Sequence, residues 1–259
     1  MKPITLKGKP LAEGRLPALC IPLVARTADA LRLEAAAAGR FVPDLVEWRV
    51  DFFEGLARTD EVVALAAEIR RTAGAPLLFT RRSEREGGQK IGLSELQVVE
   101  LYRAVCAAGA ADIVDMEMEA ERTHEDAVRE AARAQGIALL LSFHDFSATP
   151  PAAQLLARYR QAQALGGDIG KLAVMPRSSA DVLALLQATL QASSELPIPV
   201  AGMSMGALGA VSRLAGGEFG SALTFAVGQA ASAPGQLPIE ELRRALALLR
   251  VTHQKLPTR

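Results

Sequence analysis

Short apolar, strand-like runs alternate with longer amphipathic ones along almost the whole chain, and this rhythm constrains the fold more than any single motif. Runs at 19–25, 45–51, 76–82, 111–118, 138–144, 169–175, 198–205 and 222–227 read as strands. Runs at 27–38, 60–72, 94–108, 121–134, 152–165, 179–192, 207–214 and 239–249 read as helices. Eight consecutive βα units of this size predict an α/β fold, one (β/α)8 TIM barrel occupying 1–259 as a single domain. A doubly wound open sheet shares the alternation. Its dinucleotide-binding form, however, needs a Gly-x-Gly-x-x-Gly turn after the first strand, and nothing following Ala25 supplies one. The residues before the first strand are expected to form a short extra element over the barrel's N-terminal end.

With 259 residues, 50% of them apolar and 22% charged, at a formal net charge of zero, the chain can bury a substantial core. Without a clustered basic excess, neither nucleic acid nor an acidic membrane surface is expected as partner. Cys20 and Cys106 stand alone, without zinc-site spacing, and read as two free buried thiols with no metal. The N-terminus lacks the apolar stretch of a signal peptide, and no uncharged run is long enough to cross a bilayer. A cytoplasmic location is therefore expected.

Strand geometry has period two, which puts Glu47, Arg49 and Asp51 on one face of the second strand and Trp48 and Val50 on the other. In a barrel the apolar face meets the helices, so the charged triplet turns inward. The same parity sets Asp115, Glu117 and Glu119 opposite Val114, Met116 and Met118, Thr80 with Arg82, and Ser142 with His144. Polar groups near the C-terminal ends of barrel strands read as an active site, because the βα loops enclose that face.

Lys171 is the sharpest signal, a charged amine within the otherwise apolar Gly167-Asp-Ile-Gly-Lys-Leu-Ala-Val-Met175. A lysine in a dry pocket can attack a ketone, and a histidine ending the preceding strand, His144, can move protons at the adjoining carbon. Together they predict Schiff-base chemistry. Plainer readings exist for other residues. Glu47 with Arg49 can be a structural ion pair, Asp115 and Glu117 suit the organising of neighbouring charges, and Met203 and Met205 read as ordinary core. The segment Gly166-Gly-Asp-Ile-Gly-Lys171 fails as a phosphate loop, since Leu165 and Leu172 occupy positions that need Gly and Ser or Thr. His124-Glu125 lacks a second histidine and His253 falls in an expected solvated tail, which leaves His144 to carry chemistry.

Taken together, Glu47-Trp-Arg-Val-Asp51, Phe79-Thr-Arg-Arg-Ser-Glu-Arg-Glu-Gly-Gly88, Ser142-Phe-His-Asp145, Lys171, Met203-Ser-Met205, Ser212-Arg-Leu-Ala-Gly216 and Ala231-Ser-Ala-Pro-Gly-Gln236 resemble the type I 3-dehydroquinate dehydratases in order and spacing. The resemblance implies a barrel enzyme of the shikimate pathway that removes water from 3-dehydroquinate, as a homodimer and without metal or cofactor. It implies Lys171 as the Schiff-base lysine, His144 as proton donor and acceptor, and Glu86 as the group orienting His144. It places Glu47, Arg49 and Arg82 around the ring hydroxyls, Arg213, Ser232 and Gln236 around the carboxylate, and Met203 and Met205 beside the imine.

Desolvation or the cations Arg49, Arg82 and Arg213 are expected to help Lys171 lose its proton, and the turn at Ala233-Pro-Gly235 to let its loop close over the ligand. Two features depart from the family pattern: Arg81, where an aromatic is common, and a loop Gly206-Ala-Leu-Gly209 without the usual Lys and Thr. Both lie beside matched residues and bear on affinity more than on reaction type. A lysine-imine aldolase acting on a sugar phosphate is one rival, although Pro234 sits where free backbone donors would be needed. A non-catalytic sensor of the same metabolite is another, although it would need neither the lysine nor the histidine.

Overall fold

The computed structural model describes residues 1–14 and 16–255, with side chains described through 249, so His253 lies outside the described side chains. Its strands are β1 (Ala18–Leu23), β2 (Leu45–Arg49), β3 (Leu77–Thr80), β4 (Ile113–Glu117), β5 (Ala138–Asp145), β6 (Ile169–Val174), β7 (Val200–Ser204) and β8 (Leu223–Val227). They pair in parallel from β1 to β7 in chain order, and β8 pairs with β1. The ring closes through a bridge from Val200 to Ser221, where the Ala222 N–H donates to the Val200 carbonyl at 2.7 Å. A short strand, Leu237–Pro238, extends the sheet beside β8.

The helices are α1 (Ala28–Arg40), α2 (Thr59–Ala73), α3 (Glu95–Ala107), α4 (Arg122–Ala134), α5 (Ala152–Ala164), α6 (Ser179–Glu195), α7 (Gly206–Ala215) and α8 (Ile239–Lys255). Local chemistry sets several starts. Ser94 with Gln97 and Ser178 with Asp181 form capping boxes at α3 and α6, satisfying backbone donors that the first turn leaves free.

Period two sorts the core into two layers. Val46, Trp48, Leu77, Phe79, Val114, Leu139, Leu141 and Leu172 point outward into the helix-facing layer. Leu45, Leu78, Ile113, Leu140 and Ile169 point inward and fill the lower barrel. Ile4, carried by the hairpin of Thr5–Leu6 and Lys9–Pro10, joins that inner cluster, so the N-terminal segment covers the barrel end as the sequence predicts.

Strand ends differ from the sequence reading where polar residues leave the ladder. β2 stops at Arg49 because Val50–Phe52 winds into a 3-10 turn, yet Asp51 stays buried. β4 stops at Glu117, and Glu119 turns out to pair with Arg158 at 2.6 Å instead of facing the interior. Gly206-Ala-Leu-Gly209 is the first turn of α7, not a loop. A Cβ on Gly209 would collide with the Ser204 carbonyl, so glycine lets this helix sit directly on the end of β7.

Candidate active site

Above the apolar floor, the inward position turns polar one step further along β2 to β6. Glu47 follows Leu45, Thr80 follows Leu78, Asp115 follows Ile113, Ser142 follows Leu140 and Lys171 follows Ile169. Register then brings Ser142 level with Lys171 on adjacent strands, and His144 level with Ala173, one inward step above the lysine. The sequence order of the strands thus becomes an arc of polar side chains inside the barrel mouth, faced by Met203 and Phe225 from β7 and β8.

Lys171 is buried, and the groups reaching its amine are carboxylates: Asp115 Oδ2 at 3.0 Å and Glu47 Oε1 at 3.7 Å. Asp115 Oδ2 stands against both Lys171 and Arg82. The Phe225 ring lies under the amine, 4.8 Å from Nζ. Asp115 is the hub of this layer. Its Oδ2 also takes Arg82 Nη2 at 2.7 Å and its Oδ1 takes the Ser142 hydroxyl at 2.6 Å, and these partners hold its carboxyl below the usual range despite burial. Organising charge is the role the sequence assigns to Asp115, and the geometry agrees.

His144 meets Glu86 across 2.8 Å between Nδ1 and Oε2. The same oxygen accepts the His144 backbone N–H at 3.1 Å and faces Arg82 Nη1 at 3.4 Å. With the His144 backbone N–H and Arg82 Nη1 already donating to Oε2, we treat Oε2 as an ionised acceptor and assign the imidazole proton to Nδ1, which leaves Nε2 with a free lone pair. Burial first, then Arg82, Lys171 and Arg49, pushes the His144 pKa well below that of an ordinary histidine. Burial also drives Glu86 up to about 8, against the downward pull of Arg82. With the Glu86 carboxyl ionised, a proton added at Nε2 is balanced by the carboxylate at Nδ1.

Arg49 makes a two-pronged contact with Asp51, both bonds 2.9 Å. Arg82 is held by Asp115, by Glu117 at 3.3 Å and by Ser142 at 2.8 Å. Arg81 points away: its guanidinium pairs with Glu95, and its backbone N–H donates to the Tyr102 hydroxyl at 2.9 Å. This departure from the family pattern therefore lies outside the cavity.

Arg213, in the last turn of α7, has no carboxylate partner among the described residues. Its Nη2 donates to the Pro234 carbonyl at 3.1 Å, and desolvation alone lowers its pKa to about 10. A buried guanidinium left without a counter-ion is an anion site in waiting. Ser232 and Gln236 brace the loop beside it, the Ser232 N–H donating to Gln236 Oε1 at 3.0 Å and Gln236 Nε2 to Ser232 Oγ at 3.1 Å. The Gly206 N–H donates to Pro234 at 3.2 Å, which seats this loop on α7.

These groups line one cavity of about 450 Å³, open at its mouth. The structure brings together there every residue the resemblance singles out, with Glu47, Arg49, Arg82, Glu86, His144 and Lys171 on one side and Met203, Met205, Arg213, Ser232 and Gln236 on the other. Ala233, from the turn the sequence singles out, completes the wall with Phe146, Ala173 and Phe225, which were not singled out. Strand parity could have found Ala173 and Phe225, which follow Lys171 and Leu223 on the inward face. Phe146 and Ala233 lie in loops, where parity has no meaning. Among the described residues no group of three or more His, Cys, Asp or Glu is arranged to hold a metal ion, and no helix is long and apolar enough to cross a membrane.

Comparison with known proteins places this geometry. Residues 19–253 match the profile of the family described as type I 3-dehydroquinase. The chain is 52% identical over 250 residues to the 3-dehydroquinate dehydratase of Albidiferax ferrireducens, covering 96% of this chain and 95% of that one. The crystal structure of the enzyme of that name from Geobacillus kaustophilus superposes with a TM-score of 0.93 at 46% identity, over 96% of this chain and 97% of that one. A type I 3-dehydroquinate dehydratase from Clostridium difficile, solved with covalent modified comenic acid, superposes with a TM-score of 0.91 at 36% identity, over 97% of this chain and 100% of that one.

Proposed function

The chain belongs to the type I 3-dehydroquinase family, and we propose that it dehydrates 3-dehydroquinate to 3-dehydroshikimate through an imine formed on Lys171. The observation that carries the mechanism is a buried amine and an imidazole set against a carboxylate, one inward step apart on adjacent strands of a single cavity.

The substrate is an anionic, polyhydroxylated ring bearing a ketone. Its carboxylate meets Arg213, the one cation of the cavity without a carboxylate of its own among the described residues, with Ser232 and Gln236 alongside. Its hydroxyls meet Glu47, Arg49 and Arg82, fixed beforehand by Thr80, Asp51 and Asp115. For attack the Lys171 ammonium gives up a proton, and Asp115 and Glu47 are the acceptors within reach. The amine adds to the ketone and water leaves, giving an iminium whose positive charge accepts the electron pair released when C2 loses its proton.

His144 takes that proton at Nε2, and the Glu86 carboxylate balances the imidazolium at Nδ1. The elimination closes when the C1 hydroxyl departs as water with the proton held by His144, and hydrolysis of the conjugated iminium frees the amine. Met203, Met205 and Phe225 wall the imine with apolar surface, which limits premature hydrolysis. Mixing the protein with 3-dehydroquinate should generate the absorbance of a conjugated enone, and Lys171→Ala should generate none; turnover by that variant would sink the mechanism. A cytoplasmic homodimer completes the proposal, supported by the family resemblance; a monomer mass by sedimentation would contradict the pairing.

A further inference from the structure

Asp51 has no part in the chemistry above beyond bracing Arg49, yet its side chain is fully buried and accepts four hydrogen bonds from two parts of the site. Oδ1 takes Arg49 Nε at 2.9 Å and the Arg82 backbone N–H at 3.3 Å. Oδ2 takes Arg49 Nη2 at 2.9 Å and the Gln89 backbone N–H at 3.0 Å. On one side it aims a guanidinium that lines the cavity. On the other it pins both ends of the segment 82–89, which carries Glu86 to its place behind His144.

That segment is tightly folded. The Gly88 N–H donates to the Ser83 carbonyl at 2.8 Å, and a Cβ on Gly88 would collide with the Arg82 carbonyl. Asp51 and Gln89 also line a separate cleft, open to solvent, with Phe53, Leu56 and Ile91. The Asp51 carboxylate ties the segment's return end to the barrel.

We propose that Asp51 is a positioning residue for the dehydration, its one carboxylate setting both the aim of Arg49 on the substrate ring and the place of Glu86 behind His144. Asp51→Asn tests this with little change of shape. The amide keeps one acceptor but turns the other oxygen into a donor, which then faces two N–H groups that have no acceptor. The proposal rests on the imine reading of the site, and the test separates the two.

Asp51→Asn is expected to raise KM for 3-dehydroquinate about tenfold or more and to lower kcat about tenfold. In an Arg49→Ala background the same change should leave KM where Arg49→Ala alone puts it, while still lowering kcat. Gln89→Pro, which removes the backbone donor at Oδ2 and also fixes φ there, should lower kcat with little change in KM. Borohydride-trapped adduct on Lys171 counts competent sites in each variant, so the rates are free of losses in folding. A wild type that neither turns over nor forms the adduct would overturn the imine reading together with this proposal. With an active wild type, Asp51→Asn sites of unchanged KM and kcat, or a KM effect undiminished without Arg49, would overturn the Asp51 role alone.

Discussion

Replacing Arg213 by methionine should weaken substrate binding while leaving the empty enzyme at least as stable, two effects of opposite sign from one change. The guanidinium is buried without a carboxylate partner among the described residues, and desolvation holds its pKa at about 10. A tenfold change in proton affinity is about 1.4 kcal/mol, so the fall from an ordinary arginine corresponds to about 3 kcal/mol charged against the unliganded fold at neutral pH. This cost is present below about pH 10 and fades as pH rises through it. Methionine removes the cost and keeps apolar volume, but forfeits the 3.1 Å bond to the Pro234 carbonyl, about 1.5–3 kcal/mol for a charged donor. The net gain is about 1 kcal/mol, a rise in melting temperature of about 2–4 °C for a domain near this size. Binding loses a desolvated charge pair of about 2–5 kcal/mol, which raises KM by about 30-fold or more. Steady-state kinetics by enone absorbance and a thermal melt read the two effects. An unchanged KM, or a melting temperature that drops by several degrees, would refute the reasoning that this charge waits for an anion.

His144→Ala should still form the borohydride-trapped adduct while kcat falls by about a hundredfold or more; loss of the adduct as well would show that the histidine is needed for imine formation. Because His144 is pushed well below the 6.5 of an ordinary histidine, the imidazole stays neutral as pH falls through that value. The kcat profile should therefore fall as pH drops through about 8, where Glu86 takes up a proton, with no further step near 6.5, and a single limb centred near 6.5 would contradict the neutral-base assignment. Gly235 has φ +78, and a Cβ on it would collide with the Gly206 carbonyl. Gly235→Ala should thus lift the loop holding Ser232 and Gln236 off α7 and raise KM about tenfold, and a wild-type KM in this variant would show that the loop's seat is immaterial.

The barrel was legible because its two periodicities are strong. Apolar alternation with period two gave the strands, and the inward parity of Glu47, Arg49, Asp115, Ser142, His144 and Lys171 foretold one polar interior. Parity failed where a strand ended early: Glu119 obeys the spacing of Asp115 and Glu117 but follows the chain out to Arg158. Glu86, Arg213, Ser232 and Gln236 sit in loops or on a short helix, where no local period says which way a side chain points. Only the family resemblance reached them. The groups that contact Lys171 were illegible for a different reason. Sequence counts charges but not their contacts, and the fold sets Asp115 against both the amine and Arg82, with Glu47 also facing the amine. The four bonds of Asp51 were invisible for the same reason, since two of their donors are backbone groups far along the chain.

Borohydride trapping tests the central claim most directly. The protein is mixed with 3-dehydroquinate, reduced, digested and examined by mass spectrometry. The expected result is a substrate-derived adduct on the peptide containing Lys171, absent when borohydride or substrate is omitted and absent in Lys171→Ala. Steady turnover of 3-dehydroquinate with no adduct on that peptide, or with the adduct on another lysine, would contradict the account.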